Sequence, residues 1–492
     1  MFLYPNFRGM NMLPPAIGIL SAVLKKAGHD VSLFDTTYYE SLDGDDRDSD
    51  ASKSDRLMAR PYKMPNEVTC KKSNCFDDFR NEVREYMPDL IALSTTEDMF
   101  RLGIKLLDQV DDLDILTVVG GVFATFAPDL ILKYSQIDII CRGEGEDAMK
   151  ILCDRIGERL PFDDISNLCL RNSDGTVKKN QMKMVNFDNN PLIDLSLFEE
   201  ARFYRPMSGK VYKMFPVETN RGCPYQCTYC NSPSQVKLHK AECGQMFIRK
   251  KSAEKIREEL LFYKDEMKAE YLYFWSDTFF VWTGDEFEKF AQMYKEINLP
   301  FWCQTRIETI TYDNMKKLKD IGCARLSFGI EHGNEKFRKE VLGRKISNDL
   351  IVKNLKIVNE VGIPFSVNNM MGFPHETPEL AFDTIRLNKL IDSADRNAYP
   401  YSPFHGTPLR DECEKLGFVG PDDIATSFVV SGSILDMPQF PKKKVDSLAK
   451  VFNLYVKFPE DRWEEIEKAE EDTPEGRKIY EELKQEFIKK FF

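Results

Sequence analysis

Short apolar runs alternate with amphipathic helical patterns along most of the chain. In the first 160 residues the strand candidates are Met1–Tyr4, Val31–Phe34, Leu90–Ser94, Leu116–Gly120 and Ile137–Cys141. Helical spacing falls between them at Pro15–Ala27, with proline at its start and Gly28 just past its end, and at about 100–112, 128–135 and 146–157. This alternation predicts a parallel, doubly wound sheet. Residues 41–86 break the rhythm with a polar, charge-dense opening that reads as an insertion or long loop. Cys70 and Cys75 at its end read as ordinary thiols, with a metal or redox role as the alternative.

Residues 161–212 read as a connector holding a small hairpin, Ile165–Arg171 and Thr176–Lys179, about an Asp174-Gly175 turn. From 213 to 405 a second series begins. Its strand candidates are Phe215–Thr219, Tyr271–Ser276, Phe301–Gln304, Arg325–Ile330, Phe365–Met370 and Asn397–Ser402. Its helices are Ala253–Lys264, Asp285–Ile297, Tyr312–Ile321, Asn348–Val361 and Pro378–Ile391. Six such units make an open, partial (β/α)6 barrel, with chemistry at the carboxyl ends of the strands. Residues 406–492 read as a helical C-terminal region whose charged end, Glu464–Phe492, is expected to be a solvated amphipathic cap. The fold class is therefore α/β: an N-terminal doubly wound, Rossmann-like parallel sheet, a partial barrel and a helical tail.

Composition narrows the function. The chain has 492 residues, 42% hydrophobic and 30% charged, which excludes a disordered or fibrous protein. A net charge of −12 argues against nucleic acid as partner, because phosphate binding needs clustered cations. The apolar stretch Leu13–Leu24 is too short to span a bilayer and carries Pro14 and Pro15, so neither a membrane span nor a secretory signal is expected. The expected location is cytoplasmic, with reduced thiols.

Only one group among the twelve cysteines is tight: Asn220-Arg221-Gly222-Cys223-Pro224-Tyr225-Gln226-Cys227-Thr228-Tyr229-Cys230-Asn231, directly after the first barrel strand. Three thiolates on one loop suit three corners of a cubane iron–sulfur cluster, and no fourth cysteine follows at ligand spacing. The fourth iron is then open to a substrate or cofactor. Zinc, completed by His239 or Cys243, and an electron-transfer cluster are the alternatives.

This spacing in a six-unit barrel resembles the radical S-adenosylmethionine (SAM) enzymes. The resemblance implies that Cys223, Cys227 and Cys230 ligate a 4Fe–4S cluster whose open iron is chelated by SAM, and that an electron from the cluster cleaves SAM to a 5′-deoxyadenosyl radical. It implies SAM contacts from Tyr229, from Ser276 and Asp277 after the second strand, from Gln304 and Arg306 after the third, from Ser327 and Glu331 in Ser-Phe-Gly-Ile-Glu, and from Met371 in Met-Met-Gly-Phe-Pro. One departure is His375, where relatives often carry glycine.

The first domain resembles the cobalamin-binding domain fused to one branch of that family. The matching stretches are Pro14–Gly18, Ala27–Val31, Val119–Thr125 and Arg142–Glu146. The resemblance places cobalamin against Ser94, Thr95, Thr96, Gly120, Gly121, Thr125, Arg142, Gly143, Glu144, Gly145 and Glu146. The Asp-x-His-x-x-Gly motif is absent and no histidine lies in a suitable loop, so cobalt is expected to have no protein imidazole. The joint expectation is methylation of an unactivated carbon through methylcobalamin. The alternative is a cyclase or rearrangement enzyme on the same scaffold. The implied partners are a small-molecule or peptide substrate and an external donor of flavodoxin or ferredoxin type, in an anaerobic or well-reduced cytoplasm. Arg306, Arg325, His375 and His405 are further candidates for touching substrate.

Overall fold

The structure is a computed structural model that describes residues 1–7, 12–40, 42, 53, 55–65, 68–172, 174–426 and 432–492. The stretch 43–52 of the expected insertion, and Ser173 of the expected turn, lie outside the described residues.

Two seven-stranded sheets carry the chain. The first contains β1 (Phe2–Tyr4), β2 (Leu33–Asp35), β3 (Leu90–Ser94), β4 (Leu116–Gly120), β5 (Ile139–Cys141), β6 (Leu168–Arg171) and β7 (Val177–Lys179). Its order is β2-β1-β3-β4-β5-β6-β7; β1 to β5 are parallel, and β6 and β7 run antiparallel. The 2-1-3-4-5 order of the parallel strands reverses between β1 and β3, and such a switch point leaves a crevice at the carboxyl ends. The hairpin expected in the connector is β6–β7, and it extends this sheet. Asn167 holds it there, donating to the carbonyls of Arg142, Glu144 and Lys183.

The second sheet contains β8 (Tyr204–Met207), β9 (Lys210–Val217), β12 (Tyr271–Phe274), β13 (Phe301–Thr305), β14 (Cys323–Glu331), β15 (Phe365–Met371) and β16 (Asp395–Pro400). A small antiparallel pair, β10 (Asn220–Arg221) with β11 (Arg249–Lys250), stands beside it. Six strands, β9 and β12 to β16, pair in sequence and in parallel, and β8 adds an antiparallel edge that the sequence pattern does not announce. The barrel stays open. Its core is aromatic where β12 and β13 meet the helix Gly284–Ile297: Phe274, Phe279, Phe290, Tyr294 and Phe301 form edge-to-face and tilted pairs. Such pairs add about 0.5–1.5 kcal/mol each beyond burial.

The tail is more than a solvated cap. Helix Lys442–Lys457 buries Val445, Leu448, Val451, Phe452 and Tyr455. It packs against β16, and the Asn453 amide donates to the Arg396 carbonyl. It thereby covers the edge strand that an open barrel would leave unpaired. Helices Trp463–Glu470 and Pro474–Phe491 bury Ile466, Tyr480, Leu483 and Phe487 behind it. Among the described residues no helix is long and apolar enough to cross a membrane.

Candidate active site

The cysteine loop begins where β9 and β10 end, at the carboxyl edge of the barrel. Its shape is fixed from three sides. The Cys223 amide donates to Ser232 Oγ at 3.1 Å. The Thr228 hydroxyl donates to the Val341 carbonyl at 2.6 Å, and the Leu409 amide donates to the Thr228 carbonyl at 2.9 Å. Cys227 is buried, while Cys223 and Cys230 are partly exposed. Burial pushes the Cys223 thiol up to about 11 and the Cys230 thiol to about 12. Alone they are neutral thiols, and a bound metal centre is what removes their protons.

The donor set fits a cubane better than a single ion. Among the described residues no three His, Cys, Asp or Glu side chains converge as one metal ion requires. Of the two groups that could complete a zinc site, the Cys243 thiol donates to the Met182 carbonyl, and His239 bonds the Gln235 carbonyl through Nδ1 and sets Nε2 beside Gly143 of the first domain. Cys75 is buried and its thiol is pushed up to about 12 by that burial, which suits an ordinary thiol.

The strand-end residues divide into two groups. Arg306, Glu331 and Tyr229 gather beside the loop. The Arg306 guanidinium donates to Cys227 Sγ at 3.1 Å. Glu331, at a left-handed φ of 68°, is ion-paired at 2.8 Å with the buried Arg344, which also donates to Tyr229 Oη at 3.3 Å and to the Gly329 carbonyl. Burial pushes the Glu331 carboxyl up, and Arg344 opposes that shift. The others hold the scaffold. Ser276 Oγ accepts from the Thr219 amide at 3.1 Å, and Gln304 donates to the Ser276 carbonyl. Asp277 receives Ser232 Oγ at 3.4 Å, and its burial raises its pKa. Ser327 Oγ accepts from Ser366 and Asn368. Met371 is fully buried in the core with Phe373 and Tyr401.

In the first domain a cavity of about 310 Å³ opens at the switch point, between the sheet and the helices Pro15–Lys26 and Glu146–Glu158. Ser94, Gly120, Gly121, Gly143, Glu144, Gly145 and Glu146 line it. A Cβ at Gly120 would meet no atom within 4 Å, so it would stand in the cavity itself. A Cβ at Gly121, whose φ is +122°, would lie 2.4 Å from the Thr95 carbonyl oxygen. The glycines thus give a flat cradle for a bulky ligand. Thr95, Thr96, Thr125 and Arg142 do not line the cavity. Thr96 is exposed and bonds Asp98; Thr125 Oγ1 ties the two glycine loops, accepting from the Gly143 amide and donating to the Gly121 carbonyl. Arg142 pairs with Glu242.

Glu218, Arg221 and Trp275 complete the same wall from the barrel. Arg221 sits two residues before Cys223 and pairs with Glu144 at 2.6 Å, Glu146 at 2.8 Å and Glu218 at 3.0 Å. Arg249 also pairs with Glu144, and Lys251 with Glu218. Burial alone would raise the Glu144 and Glu218 carboxyls, but these cations hold both below the usual carboxylate range. Depressed folded values mean that the stabilisation is present at neutral pH and is lost as pH falls. Removing one partner of a buried ionic cluster costs about 3–5 kcal/mol. Arg221→Met is accordingly expected to lower the melting temperature clearly at pH 7 and less at pH 4, in paired thermal scans. An equal loss at both values would discount the ionic role.

Of the substrate candidates, Arg325 lies near the amino end of β14, where it pairs with Asp395 and donates to Ser208; it does not reach the barrel mouth. His375 is an exposed partner of Glu412. His405 bridges the domains by pairing with the buried Glu97 at 2.8 Å and packing on Phe123.

Comparison with known proteins agrees with this geometry. Residues 217–387 match the radical SAM superfamily and residues 64–153 match the B12 binding domain. An uncharacterized methyltransferase of Pyrococcus horikoshii is 25% identical over 68% of this chain and 71% of its own length. The cytidylyl-2-hydroxyethylphosphonate methyltransferase of Streptomyces wedmorensis is 21% identical over 89% of this chain and 85% of its own. The solved structure of OxsB, a cobalamin-dependent SAM radical enzyme with aqua-cobalamin and SAM bound, superposes with a TM-score of 0.64 at 16% identity, covering 99% of this chain and 70% of that one. With a B12-binding domain and a radical SAM domain sharing one cavity wall, the chain is a radical SAM enzyme whose cofactors are a 4Fe–4S cluster, SAM and cobalamin.

Proposed function

We propose that this enzyme methylates an unactivated carbon of a small-molecule or peptide substrate. The observation that carries the reading is the shared wall: Ser94, Gly120, Glu144 and Glu146 of one domain and Glu218, Arg221 and Trp275 of the other enclose a single space. The names of the relatives from Pyrococcus and Streptomyces support it.

In this reading Cys223, Cys227 and Cys230 hold the cluster, Tyr229 and Glu331 border SAM, and the Gly120-Gly121 and Gly143–Glu146 loops cradle cobalamin. Bound there, the cluster and SAM would supply the radical chemistry and cobalamin would supply the methyl group. The protein's part is placement. Arg344 fixes Glu331 and Tyr229 in one orientation. Arg221 fixes the cradle against the cysteine loop, so the two domains meet in one register. Trp275 gives the wall an apolar, water-excluding surface on the barrel side. A flavodoxin- or ferredoxin-type donor supplies the electron.

The test uses anaerobically reconstituted enzyme with cobalamin, reductant and SAM labelled on its methyl group. Methyl transfer is expected to give labelled methylcobalamin and S-adenosylhomocysteine in equal amounts. Deoxyadenosine with no labelled corrinoid would overturn the reading in favour of cyclisation or rearrangement.

A further inference from the structure

We propose that Arg306 sets the reduction potential of the cluster through its bond to the Cys227 sulfur, with Glu308 as the opposing charge. The inference rests on the reading of Cys223, Cys227 and Cys230 as cluster ligands, and it moves Arg306 from the SAM contacts expected of it to the cluster itself.

The three sulfurs have unlike surroundings. Cys230 Sγ accepts a neutral backbone bond from Ser232 at 3.4 Å, and Cys223 Sγ takes one from the Tyr225 amide. Cys227, buried to 8% exposure, is met by a guanidinium at 3.1 Å. A charged donor makes a bond roughly twice as strong as a neutral one. Hydrogen bonds to sulfur, local charge and burial are the levers by which a protein tunes such a cluster.

The guanidinium is aimed with some care. It follows directly from the end of β13, so the strand fixes its root. Its plane lies 4.1 Å from the ring of Tyr225, which belongs to the cysteine loop, so loop and arginine are placed together. The edge of the guanidinium donates to the Glu308 carboxylate through both Nε, at 3.2 Å, and Nη2. The Arg306 and Glu308 side chains are 13% and 27% exposed, so solvent screens the pair less than it would at the open surface. The cation is shared between a thiolate that gains negative charge on reduction and a carboxylate that does not change.

The signs follow. Reduction adds an electron to the cluster, and a cation bonded to a ligand sulfur stabilises the reduced state. Arg306→Gln removes that cation and leaves Glu308 uncompensated, so reduction becomes harder. Glu308→Gln leaves Arg306 with its full charge on the sulfur, so reduction becomes easier. A purely structural role would not move two neighbours in opposite directions.

The experiment is a redox titration of the SAM-free, anaerobically reconstituted variants, following the electron paramagnetic resonance of the reduced cluster. Iron and sulfide content are measured in the same samples. Arg306→Gln is expected to cut the ratio of reduced to oxidised cluster at a fixed potential by about tenfold, which is 59 mV for a one-electron couple. Glu308→Gln is expected to raise that ratio, and Arg306→Lys to fall between wild type and Arg306→Gln. If Arg306→Gln fails to hold iron, the upward shift of Glu308→Gln decides. An unchanged midpoint in an iron-replete Arg306→Gln protein, or shifts of one sign in both variants, would overturn the proposal while leaving the ligand assignment intact.

Discussion

Replacing Cys227 with alanine is expected to reduce SAM cleavage to background and to strip most of the iron from the protein. The loss follows from how the loop is built. Cys227 is the buried member of the trio and the one that meets Arg306, so alanine there removes the sulfur from the enclosed side of the loop. Its loop is fixed by Thr228 on one flank and by Gly343 on the other, where a Cβ would lie 2.6 Å from the Gln226 carbonyl oxygen. The backbone therefore cannot shift to bring another ligand in. Changes to groups that merely orient ligands already cost about 10–100-fold in metal affinity or activity. Loss of a ligand sulfur is expected to exceed that range, with deoxyadenosine down by more than ~100-fold. The measurement is deoxyadenosine formed per reconstituted chain, alongside iron content. Deoxyadenosine at wild-type levels from the alanine variant would remove Cys227 from the ligand set.

Much of this architecture is legible in the sequence because parallel strands are buried on both faces. Leu90–Ser94 and Leu116–Gly120 are continuous apolar runs with abrupt ends, and both fold over the same residues that the pattern marks. Helix Asn348–Val361 likewise keeps its bounds, since Ser347 caps it by accepting from the Leu350 amide and Gly362 ends it in a left-handed turn. The cysteine loop is legible because its chemistry is local. What escaped is what only the fold brings together. Arg344 carries no motif, yet it organises Glu331 and Tyr229, the latter 115 residues away in the chain. Arg221 reads as the residue before a glycine, but its partner Glu144 is 77 residues upstream in the other domain. Conversely, Arg142 opens a resemblance-bearing stretch and Thr96 ends a strand at the expected cleft, while their side chains serve Glu242 and Asp98. The charged run Glu464–Phe492 reads as a solvated cap, although it buries Ile466, Tyr480, Leu483 and Phe487 behind the helix Lys442–Lys457.

The cradle makes the second large prediction: Gly120→Trp is expected to lose cobalamin while keeping the cluster. Gly120 ends β4, and its φ lies outside the left-handed region, so a side chain there brings no backbone strain. Its missing Cβ points into open space, in a cavity of about 310 Å³. A tryptophan, which buries about 150–250 Å² when packed, would occupy the room that a corrin ring needs. Gly121→Ala is the instructive neighbour. Its Cβ would strike the Thr95 carbonyl oxygen, so that variant is expected to lose stability rather than binding alone. The Gly120→Trp protein should fold, reconstitute its cluster and form deoxyadenosine, because the cysteine loop and Arg306 belong to the other domain. Desalted after hydroxocobalamin loading, it should retain at most about a hundredth of the wild-type corrinoid at equal concentration, near 2.7 kcal/mol of lost binding. Methylated product should fall in step. Stoichiometric corrinoid on the tryptophan variant would mean that the cofactor lies elsewhere and that the glycine cradle serves another ligand.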